Sequence, residues 1–231
     1  MDAAIILSGG VGTRVGADIP KQYIKVGKHP IIYYSLATFA KCSNIGLIVI
    51  VVADAWLKFV SDIVDNMRIS DKVIYARAGI TRQFSIYNGL TAIDDSVFAP
   101  KIDSVIIHDA ARPLVKESLI ERCFDACCEG YDGALPVIPV KDTVYMSIDG
   151  KSITSLLDRS SLYAGQAPEA FNFKKYLAVH RTMPRDEIAK INGSSEIAHK
   201  AGLKIGIVQG DILNFKITDS EDLARFKSIV E

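Results

Sequence analysis

Glycines and cations near the start of the chain form the first group of residues that could do chemistry. Residues 7–14 read Leu-Ser-Gly-Gly-Val-Gly-Thr-Arg and follow an apolar run of strand length. Glycines after the first strand of an α/β sheet let the backbone approach a ligand closely and present N–H groups to an anion. The spacing matches neither a dinucleotide-binding GxGxxG nor a P-loop. With Arg14 and Lys21 nearby, the segment predicts a site for a phosphorylated ligand.

Two later segments add charged residues. His108 and Asp109 end an apolar run, and Ala-Ala-Arg-Pro follows at 110–113. The carboxyl end of a strand is where α/β sheets bind ligands, so Asp109 is a candidate for such a site. Lys216 lies in a later apolar segment and supplies a third cation. Taken singly, each of these charges could equally be a solvated surface residue.

Runs of strand length alternate along the chain with stretches of helical period, and this alternation predicts the scaffold. Strands separated by helices imply crossovers, a mostly parallel sheet and a three-layer α/β sandwich. Ser220, followed by two acidic residues, is predicted to cap the last helix. The predicted strands are 3–7, 47–53, 73–76, 105–108, 134–140, 204–208 and 214–218, and the predicted helices are 30–40, 55–66, 83–93, 117–129, 194–201 and 220–230.

The alternation breaks between residues 143 and 157. Two β-prone runs flank Asp149-Gly150 there, and an Asp-Gly pair between such runs is a strong hairpin signal. A hairpin inserted into an α/β chain leaves the main body of the fold. It could cover a sheet edge, form a lid, or reach a second subunit.

Composition limits the classes of function. Across 231 residues, 27 Lys and Arg balance 27 Asp and Glu, which argues against a nucleic-acid or anionic-membrane binder. The length favours one large domain, residues 1–231. The longest apolar run, 45–53, is too short to cross a bilayer, and no signal peptide is apparent, so a cytoplasmic location is expected. The four cysteines lack metal-site spacing and are expected to be buried thiols.

The combined motif GG-x-GTR-x(5)-PKQ, together with His-Asp-Ala-Ala-Arg-Pro, resembles the family of methylerythritol phosphate and ribitol-5-phosphate cytidylyltransferases. The resemblance covers essentially the whole chain. It implies a Rossmann-like nucleotidyltransferase fold and transfer of a cytidylyl group from CTP to a sugar-alcohol phosphate, with release of pyrophosphate. Further matching segments are 79–85, 141–143, 158–159, 166–168 and 214–218.

The resemblance also implies roles for individual residues. Arg14, Lys21 and Lys216 would stabilise the transition state, where charge collects on the phosphates. Asp109 would position the ribose or help to hold Mg²⁺, or another divalent cation, on the phosphates. The triphosphate would lie on a loop that includes Ser8, Gly9, Gly10, Gly12 and Thr13, and the cytosine would be read around Gly79 and Ser85, with Arg82 bracing that loop.

Ser85 and His108 also have simpler interpretations. The Ser85 hydroxyl could satisfy backbone donors at the start of a helix instead of reading a base. His108 is expected to pack beneath the loop rather than to act in catalysis.

The resemblance gives the hairpin, residues 141–160, the role of a dimerisation arm that clasps a second copy of the chain. Thr143 and Arg159 would then reach the acceptor site of the partner subunit, because an Arg can bind a phosphate bidentately. Arg112 would brace Asp109 or contact the acceptor phosphate. The alternative for Arg159 is a simple ion pair with Asp158.

The acceptor is less closely defined. Where the methylerythritol branch commonly has Thr-Asp, this chain has Asn192-Gly193, and Gly165-Gln166 and Gly210-Asp211 resemble the ribitol phosphate branch. Ribitol 5-phosphate, giving CDP-ribitol for a cell-wall or capsule glycan, is therefore favoured. The alternative is 2-C-methyl-D-erythritol 4-phosphate, an intermediate of non-mevalonate isoprenoid synthesis.

Two other functions compete with the cytidylyltransferase hypothesis. A sugar-1-phosphate nucleotidyltransferase using UTP or GTP would share the glycine loop, but the short chain, the His-Asp-Ala-Ala-Arg-Pro segment and the hairpin argue against it. A catalytically silent nucleotide-binding regulator is disfavoured because Arg14, Lys21 and Lys216 are all present.

Overall fold

The computed structural model describes residues 1–10 and 19–231. The strands within these residues are β1 (Asp2–Leu7), β2 (Lys25–Val26), β3 (His29–Pro30), β4 (Ile45–Val52), β5 (Val73–Arg77), β6 (Ser104–Asp109), β7 (Gly133–Pro139), β8 (Val144–Met146), β9 (Ser155–Leu157), β10 (Tyr163–Gly165), β11 (Glu169–Asn172) and β12 (Ile205–Gln209). The α-helices are α1 (Ile31–Lys41), α2 (Leu57–Met67), α3 (Arg82–Asp94), α4 (Glu117–Cys128), α5 (Phe173–Thr182), α6 (Arg185–Ile188), α7 (Ser194–Lys200) and α8 (Ser220–Val230).

Eight of the described strands form one mostly parallel sheet in the order β10-β7-β11-β6-β1-β4-β5, with β12 paired to β7. The parallel pairs are β1–β4, β1–β6, β4–β5 and β7–β12. The short strand β11 runs antiparallel between β6 and β7, and β10 pairs antiparallel with β7. The predicted α/β fold with a mostly parallel sheet is confirmed.

Helices cover both faces of this sheet. Strand β4 is buried along nearly its whole length, as expected for a strand that has helices on both sides. On one face, Ala4 and Ile6 of β1 pack with side chains of α1, α2 and α4. On the other face, Ala3 and Ile5 pack with side chains of α3, α5 and α7. The three layers predicted from the alternation are therefore present.

The sheet register brings three segments to one edge. Leu7, the last residue of β1, lies beside Asp109, the last residue of β6, and also beside Val51 of β4. The end of β5 at Arg77 pairs with Val52. The glycine segment, Asp109 and the segment that follows β5 therefore start from neighbouring positions at the carboxyl edge of the sheet.

Three local predictions are wrong or incomplete. Residues 214–218 are not a strand: the Ile217 side chain packs with Val26 and Phe226 in a small separate cluster, so its burial does not depend on strand pairing. Asp219, not Ser220, caps α8, because its carboxylate accepts a hydrogen bond from the Asp222 N–H. The elements β10, β11 and α5 were not predicted; they follow or flank the Gly-Gln-Ala-Pro segment at 165–168, which breaks up the pattern.

The predicted hairpin is present as a separate two-stranded sheet of β8 and β9. Its connection is longer than a two-residue turn. Gly150 has a φ of 69°, and the Asp149 carboxylate accepts hydrogen bonds from the N–H groups of Lys151 and Ser152, both at 2.9 Å. Apolar side chains on this hairpin are exposed: Tyr145 by 57%, Ile148 by 84% and Leu156 by 64%.

The cysteines match expectation only in part. Cys42 and Cys123 are buried, Cys127 is half-buried and Cys128 is exposed, so the prediction of buried thiols is wrong for Cys128. It lies near the end of an amphipathic helix, where two adjacent positions cannot both face the core. Of the helices in the described ranges, none has the length and apolar character needed to cross a membrane.

Candidate active site

A cavity of about 610 Å³ opens at the carboxyl edge of the sheet. Its size lies within the range typical of small-molecule sites, roughly 300–1,000 Å³. The predicted residues that line it are Gly9, Gly10, Lys21, Gly79, Arg82, Ser85, Asp109 and Lys216. The structure therefore brings together residues from four separate sequence segments. Gly12, Thr13 and Arg14, also predicted for this site, lie outside the described residues.

The described part of the glycine loop is held by the side chain of Gln22. Its amide nitrogen donates hydrogen bonds to the carbonyl of Ser8 and, at 2.8 Å, to the carbonyl of Gly10. Gln22 is buried, so these bonds are shielded from water. A Cβ on Gly9 would lie 2.3 Å from the Cβ of Ala78, so only glycine fits there. The loop is thus fixed by a residue that the sequence analysis quoted within a motif but assigned no role.

Ser8 faces the interior and not the cavity. Its hydroxyl donates to the Val51 carbonyl at 2.8 Å, and only 2% of the residue is exposed. The Ser8 hydroxyl is thus occupied within the fold, and a part for Ser8 in nucleotide binding stays a prediction. The hydroxyl fixes the end of β1 because a small polar residue at this buried position needs a hydrogen-bond partner.

The segment after β5 turns sharply into α3. Thr81 caps this helix by accepting a hydrogen bond from the Phe84 N–H at 3.4 Å. The Ser85 hydroxyl accepts a hydrogen bond from the Gly79 N–H at 2.9 Å. A Cβ on Gly79 would lie 2.5 Å from Phe84 atoms, which explains the glycine. Ser85 thus has the simpler bracing role anticipated above, while it also lines the cavity.

Asp109 lies among three cations at the inner wall of the cavity. Its carboxylate is 2.9 Å from Lys216 Nζ, 3.3 Å from Arg82 Nε and 3.9 Å from Arg112 Nε. Burial alone would raise the pKa of Asp109, but the charges of Arg82, Lys216 and Arg112 outweigh it and hold the pKa below its ordinary value. The carboxylate is therefore ionised under all ordinary conditions.

A second carboxylate, Glu169, completes this charged cluster. Its Oε1 lies 3.6 Å from Arg82 Nη2, and the same guanidinium donates to the Ser194 hydroxyl at 2.7 Å. Burial opposes the charge of Arg82, yet Asp109 and Glu169 raise its pKa. Arg82 therefore joins Asp109, Glu169 and Ser194 in one cluster, and it also lines the cavity. Glu169 was not predicted as a site residue, although it directly follows the Gln-Ala-Pro motif.

A second cavity of about 380 Å³ adjoins the first. Arg82, Asp109 and Lys216 line both cavities, so the charged cluster forms their common wall. Arg112 lines only the second cavity and donates from Nη1 to the Asn214 carbonyl at 2.7 Å. The two cavities can therefore hold two ligands whose charged ends meet at the same cations. Asn192 and Gly193 also line this second cavity.

His108 does not face either cavity. It is fully buried against Phe39, and its Nε2 lies 3.1 Å from the Arg112 carbonyl. Burial is the main cause that lowers the pKa of His108 to about 3. The imidazole is therefore neutral, and it packs beneath the loop as the sequence analysis expected.

The residues of the hairpin lie apart from this cluster. Thr143 is exposed, and neither Thr143 nor Arg159 lines the two cavities among the residues described. Arg159 donates from Nη1 to the Lys141 carbonyl at 2.8 Å, while Asp158 accepts hydrogen bonds from Ser160. The alternative interpretation of Arg159, a simple pair with Asp158, thus does not describe its contact. Within one chain, the predicted acceptor residues of the hairpin are not brought to the site.

Comparison with known proteins identifies the family. The family model described as IspD, 2-C-methyl-D-erythritol 4-phosphate cytidylyltransferase, matches residues 3–231. The chain belongs to this cytidylyltransferase family. A curated relative with that name from Geobacillus thermodenitrificans is 33% identical over 227 residues, which cover 98% of this chain and 96% of the relative. The predicted family resemblance is therefore confirmed.

Two further members of the cytidylyltransferase family extend the comparison. A "Bifunctional enzyme IspD/IspF" from Bradyrhizobium sp. BTAi1 is 34% identical over 224 residues, and the chain spans about half the length of this relative, 55%. The crystal structure of a 4-diphosphocytidyl-2C-methyl-D-erythritol synthase from Anaerococcus prevotii has a TM-score of 0.83 at 25% identity and covers 99% of this chain and 95% of that one. The names of these relatives and of the family model favour the methylerythritol branch over the ribitol branch expected from the residue pattern.

Proposed function

We propose that the chain transfers the cytidylyl group of CTP to 2-C-methyl-D-erythritol 4-phosphate and releases pyrophosphate. The observation that carries this proposal is the pair of adjoining cavities with a common cationic wall, in a chain whose family model covers residues 3–231. Ribitol 5-phosphate is the second candidate acceptor, because Asn192-Gly193, which differs from the methylerythritol pattern, lines the second cavity.

CTP would occupy the larger cavity. The described glycines, 9 and 10, let the triphosphate approach the backbone, and Lys21 and Lys216 neutralise its charge. The cytosine would lie against the segment around Gly79 and Ser85. The Ser85 hydroxyl accepts from Gly79, so its own proton is available to the carbonyl or ring nitrogen of the base. These residue roles, together with the triphosphate contacts expected of Gly12, Thr13 and Arg14, are part of the proposal.

The sugar-alcohol phosphate would occupy the smaller cavity, with its phosphate near Arg112 and Lys216. A phosphate oxygen would donate an electron pair to the α-phosphorus of CTP. The new P–O bond would form as the bond between the α-phosphorus and the bridging oxygen breaks, and that electron pair would leave with pyrophosphate. Such a reaction requires alignment and opposite charge, with no covalent nucleophile. Arg82, Asp109 and Lys216 lie where the two substrates would meet.

A divalent cation such as Mg²⁺ fits this site in a limited way. Asp109 is an ionised carboxylate on the cavity wall, and Mg²⁺ prefers oxygen ligands supplied by phosphates, water and one or two carboxylates. Within the described ranges, no group of three His, Cys, Asp or Glu side chains is arranged as a metal cage. Asp109 would therefore be the protein ligand, and the cation would supply charge neutralisation on the triphosphate.

We further propose a homodimer in which residues 141–160 form the dimerisation arm of a single cytidylyltransferase domain, residues 1–231. An isolated two-stranded hairpin is marginal in water, and this one exposes Tyr145, Ile148 and Leu156. Exchange of identical arms about a two-fold axis would cover these side chains. It would also bring Thr143 and Arg159 to the acceptor cavity of the partner subunit. The four thiols without disulfides fit a cytoplasmic location.

A coupled assay of pyrophosphate release tests the proposed reaction. CTP, UTP, GTP and ATP would each be combined with 2-C-methyl-D-erythritol 4-phosphate and with ribitol 5-phosphate. We expect CTP with the methylerythritol phosphate to give the highest kcat/KM, because a site that binds one base edge leaves buried polar groups unpaired with another.

Other outcomes of the same assay would redirect the assignment. Comparable kcat/KM for UTP or GTP would support a sugar nucleotidyltransferase. Preference for ribitol 5-phosphate would support the second acceptor. Absence of pyrophosphate release with every pair would contradict an enzymatic function.

A further inference from the structure

The wall of the second cavity holds a carboxylate–hydroxyl pair that no part of the proposed mechanism uses. Glu169 Oε2 accepts two hydrogen bonds from Ser195, one from its N–H at 2.8 Å and one from its hydroxyl at 2.6 Å. The Glu169 side chain is only 8% exposed, and both residues line the cavity. We propose that Ser195, oriented by Glu169, selects a hydroxyl group of the sugar-alcohol phosphate; this inference rests on the proposed function.

The chemistry of the pair restricts what Ser195 can bind. A serine hydroxyl has one proton and two acceptor lone pairs. Because the proton is donated to the Glu169 carboxylate, Ser195 can offer only lone pairs to a ligand. A fully ionised phosphate has no proton to donate, whereas an alcohol group has one. Ser195 therefore suits a hydroxyl group and not a phosphate oxygen.

The charges around the cavity give the acceptor a direction. Arg112 and Lys216 line the cavity and can attract the phosphate. Glu169 is held by Arg82 at 3.6 Å, and its negative charge would repel a phosphate placed beside it. The phosphate end should therefore lie toward Arg112 and Lys216, with the hydroxylated carbon chain toward Ser195.

The experiment compares 2-C-methyl-D-erythritol 4-phosphate with its three monodeoxy analogues, each lacking one free hydroxyl. The wild-type chain should discriminate against one analogue by roughly 5- to 150-fold in kcat/KM. That analogue lacks the hydroxyl group that Ser195 binds, so polar groups in the cavity are left unpaired. Ser195→Ala should remove this discrimination for that analogue alone. Ser195→Thr, which keeps the hydroxyl, should retain it.

Two further measurements separate hydroxyl recognition from a merely structural effect. Inhibition by inorganic phosphate should be unchanged in Ser195→Ala, because Ser195 is not assigned to the phosphate; Arg112→Ala is the matched variant in which this inhibition should weaken. Glu169→Gln should raise the KM of the acceptor more than the KM of CTP, because an amide oxygen accepts the Ser195 hydrogen bonds less strongly than a carboxylate does.

The outcomes distinguish the inference from the reaction on which it rests. If wild-type turnover is normal but Ser195→Ala keeps the full discrimination, or if the wild type does not discriminate, the selection by Ser195 is wrong. Weaker phosphate inhibition in Ser195→Ala would also contradict it. If the wild type releases no pyrophosphate with any sugar-alcohol phosphate, the proposed function fails and this inference fails with it.

Discussion

The charged cluster at the two cavities and the hairpin at residues 141–160 are stabilised in opposite ways. In the cluster, Asp109 contacts Arg82 and Lys216, so segments more than a hundred residues apart in the chain are joined through partly buried ion pairs. In the hairpin, the described side-chain hydrogen bonds of Asp149 join near neighbours only, and apolar side chains face outward. The charged cluster is therefore held together within a single chain, whereas the apolar side chains of the hairpin have no partner surface among the described residues of that chain.

This difference indicates which steps of the proposed reaction should depend on formation of the homodimer. Binding and activation of CTP should depend on residues of one chain. Binding of the acceptor should depend on both chains, because the predicted acceptor residues Thr143 and Arg159 lie on the uncovered region. Substitutions in the two regions should therefore affect different kinetic parameters.

The largest loss of activity is expected from substitutions in the charged cluster. Lys216→Ala should lower kcat by roughly 100- to 1,000-fold, because loss of one preorganised donor costs about 3–4 kcal/mol of transition-state stabilisation. The measurement is steady-state pyrophosphate release at saturating CTP. Lys174→Ala, at an exposed lysine of α5, is the control and should retain wild-type turnover. Near-wild-type kcat for Lys216→Ala would remove Lys216 from the transition state.

Substitutions in the hairpin are expected to have a smaller effect, on the KM of the acceptor and not on kcat. Arg159→Ala should raise the KM of the sugar-alcohol phosphate by roughly 10- to 150-fold and leave the KM of CTP nearly intact, because a charged hydrogen bond contributes about 1.5–3 kcal/mol. Initial rates at varied concentrations of each substrate measure this separation. A matching rise in the KM of CTP would argue against a role limited to the acceptor.

Mixing variants sharpens the same comparison. Arg159→Ala mixed with Lys216→Ala should recover activity, because one site of each heterodimer combines an intact arm with an intact cluster. Recovery should approach about half of wild-type activity per heterodimer. If the subunits exchange and no activity returns, the arm does not act in trans.

The apolar face of the hairpin gives a third prediction. Leu156→Ser should weaken the dimer by about 1–3 kcal/mol, because it removes an apolar side chain that is 64% exposed in a single chain. Sedimentation at a series of concentrations should show a higher dissociation constant than for the wild type. A chain that is monomeric as wild type would contradict the proposed arm exchange altogether.

Between pH 7 and pH 5, acid should destabilise the buried core and have little effect on the hairpin. Burial lowers the pKa of His108 to about 3 and that of His180 to about 4, so below pH 6.5 the unfolded chain binds protons that the folded chain refuses. Stability is fully present above pH 6.5 and is lost as pH falls, by about 1.4 kcal/mol per pH unit for each histidine. Urea unfolding at pH 7, 6 and 5 measures the slope.

The control for the acid effect is the double variant His108→Gln with His180→Gln. It should show a flatter dependence of unfolding free energy on pH, because the two histidines whose pKa is lowered by burial are absent. Hydrogen exchange in residues 141–160, which contain no histidine, should not follow the same slope. An unchanged slope in the double variant would assign the acid sensitivity to other groups.

Much of the fold could be predicted because most of the buried strands contain a continuous apolar run. Strand β4 is an example, since Ile45–Val52 lies within a run of apolar residues and is buried along nearly its whole length. Strand β11 could not be predicted in this way, because its four residues follow a proline and its position between β6 and β7 is set by tertiary pairing. Residues 214–218 resemble a strand in sequence, but Ile217 is buried against Val26 and Phe226 without strand pairing.

In the candidate site as well, residues in distinctive local motifs could be predicted, whereas residues that matter through tertiary contacts could not. Lys21, Lys216 and Asp109 could be found because their motifs have unusual composition and spacing, and the structure brings them to one cavity. Glu169 could not be found, because its importance comes from the 3.6 Å approach to Arg82, which lies 87 residues earlier in the chain. The acceptor preference was misdirected since Asn192 and Gly193 were weighed by resemblance at two positions, whereas the methylerythritol family model matches residues 3–231.

The most direct test of the account follows the α-phosphate itself. CTP labelled at the α-phosphorus would be incubated with the wild-type chain and 2-C-methyl-D-erythritol 4-phosphate, and the labelled products separated. The account predicts that the label appears in a cytidine diphosphate-linked product in a 1:1 ratio with pyrophosphate, as expected for transfer between two bound substrates. Label that appears as free CMP, or only on ribitol 5-phosphate when both acceptors are supplied, would contradict it.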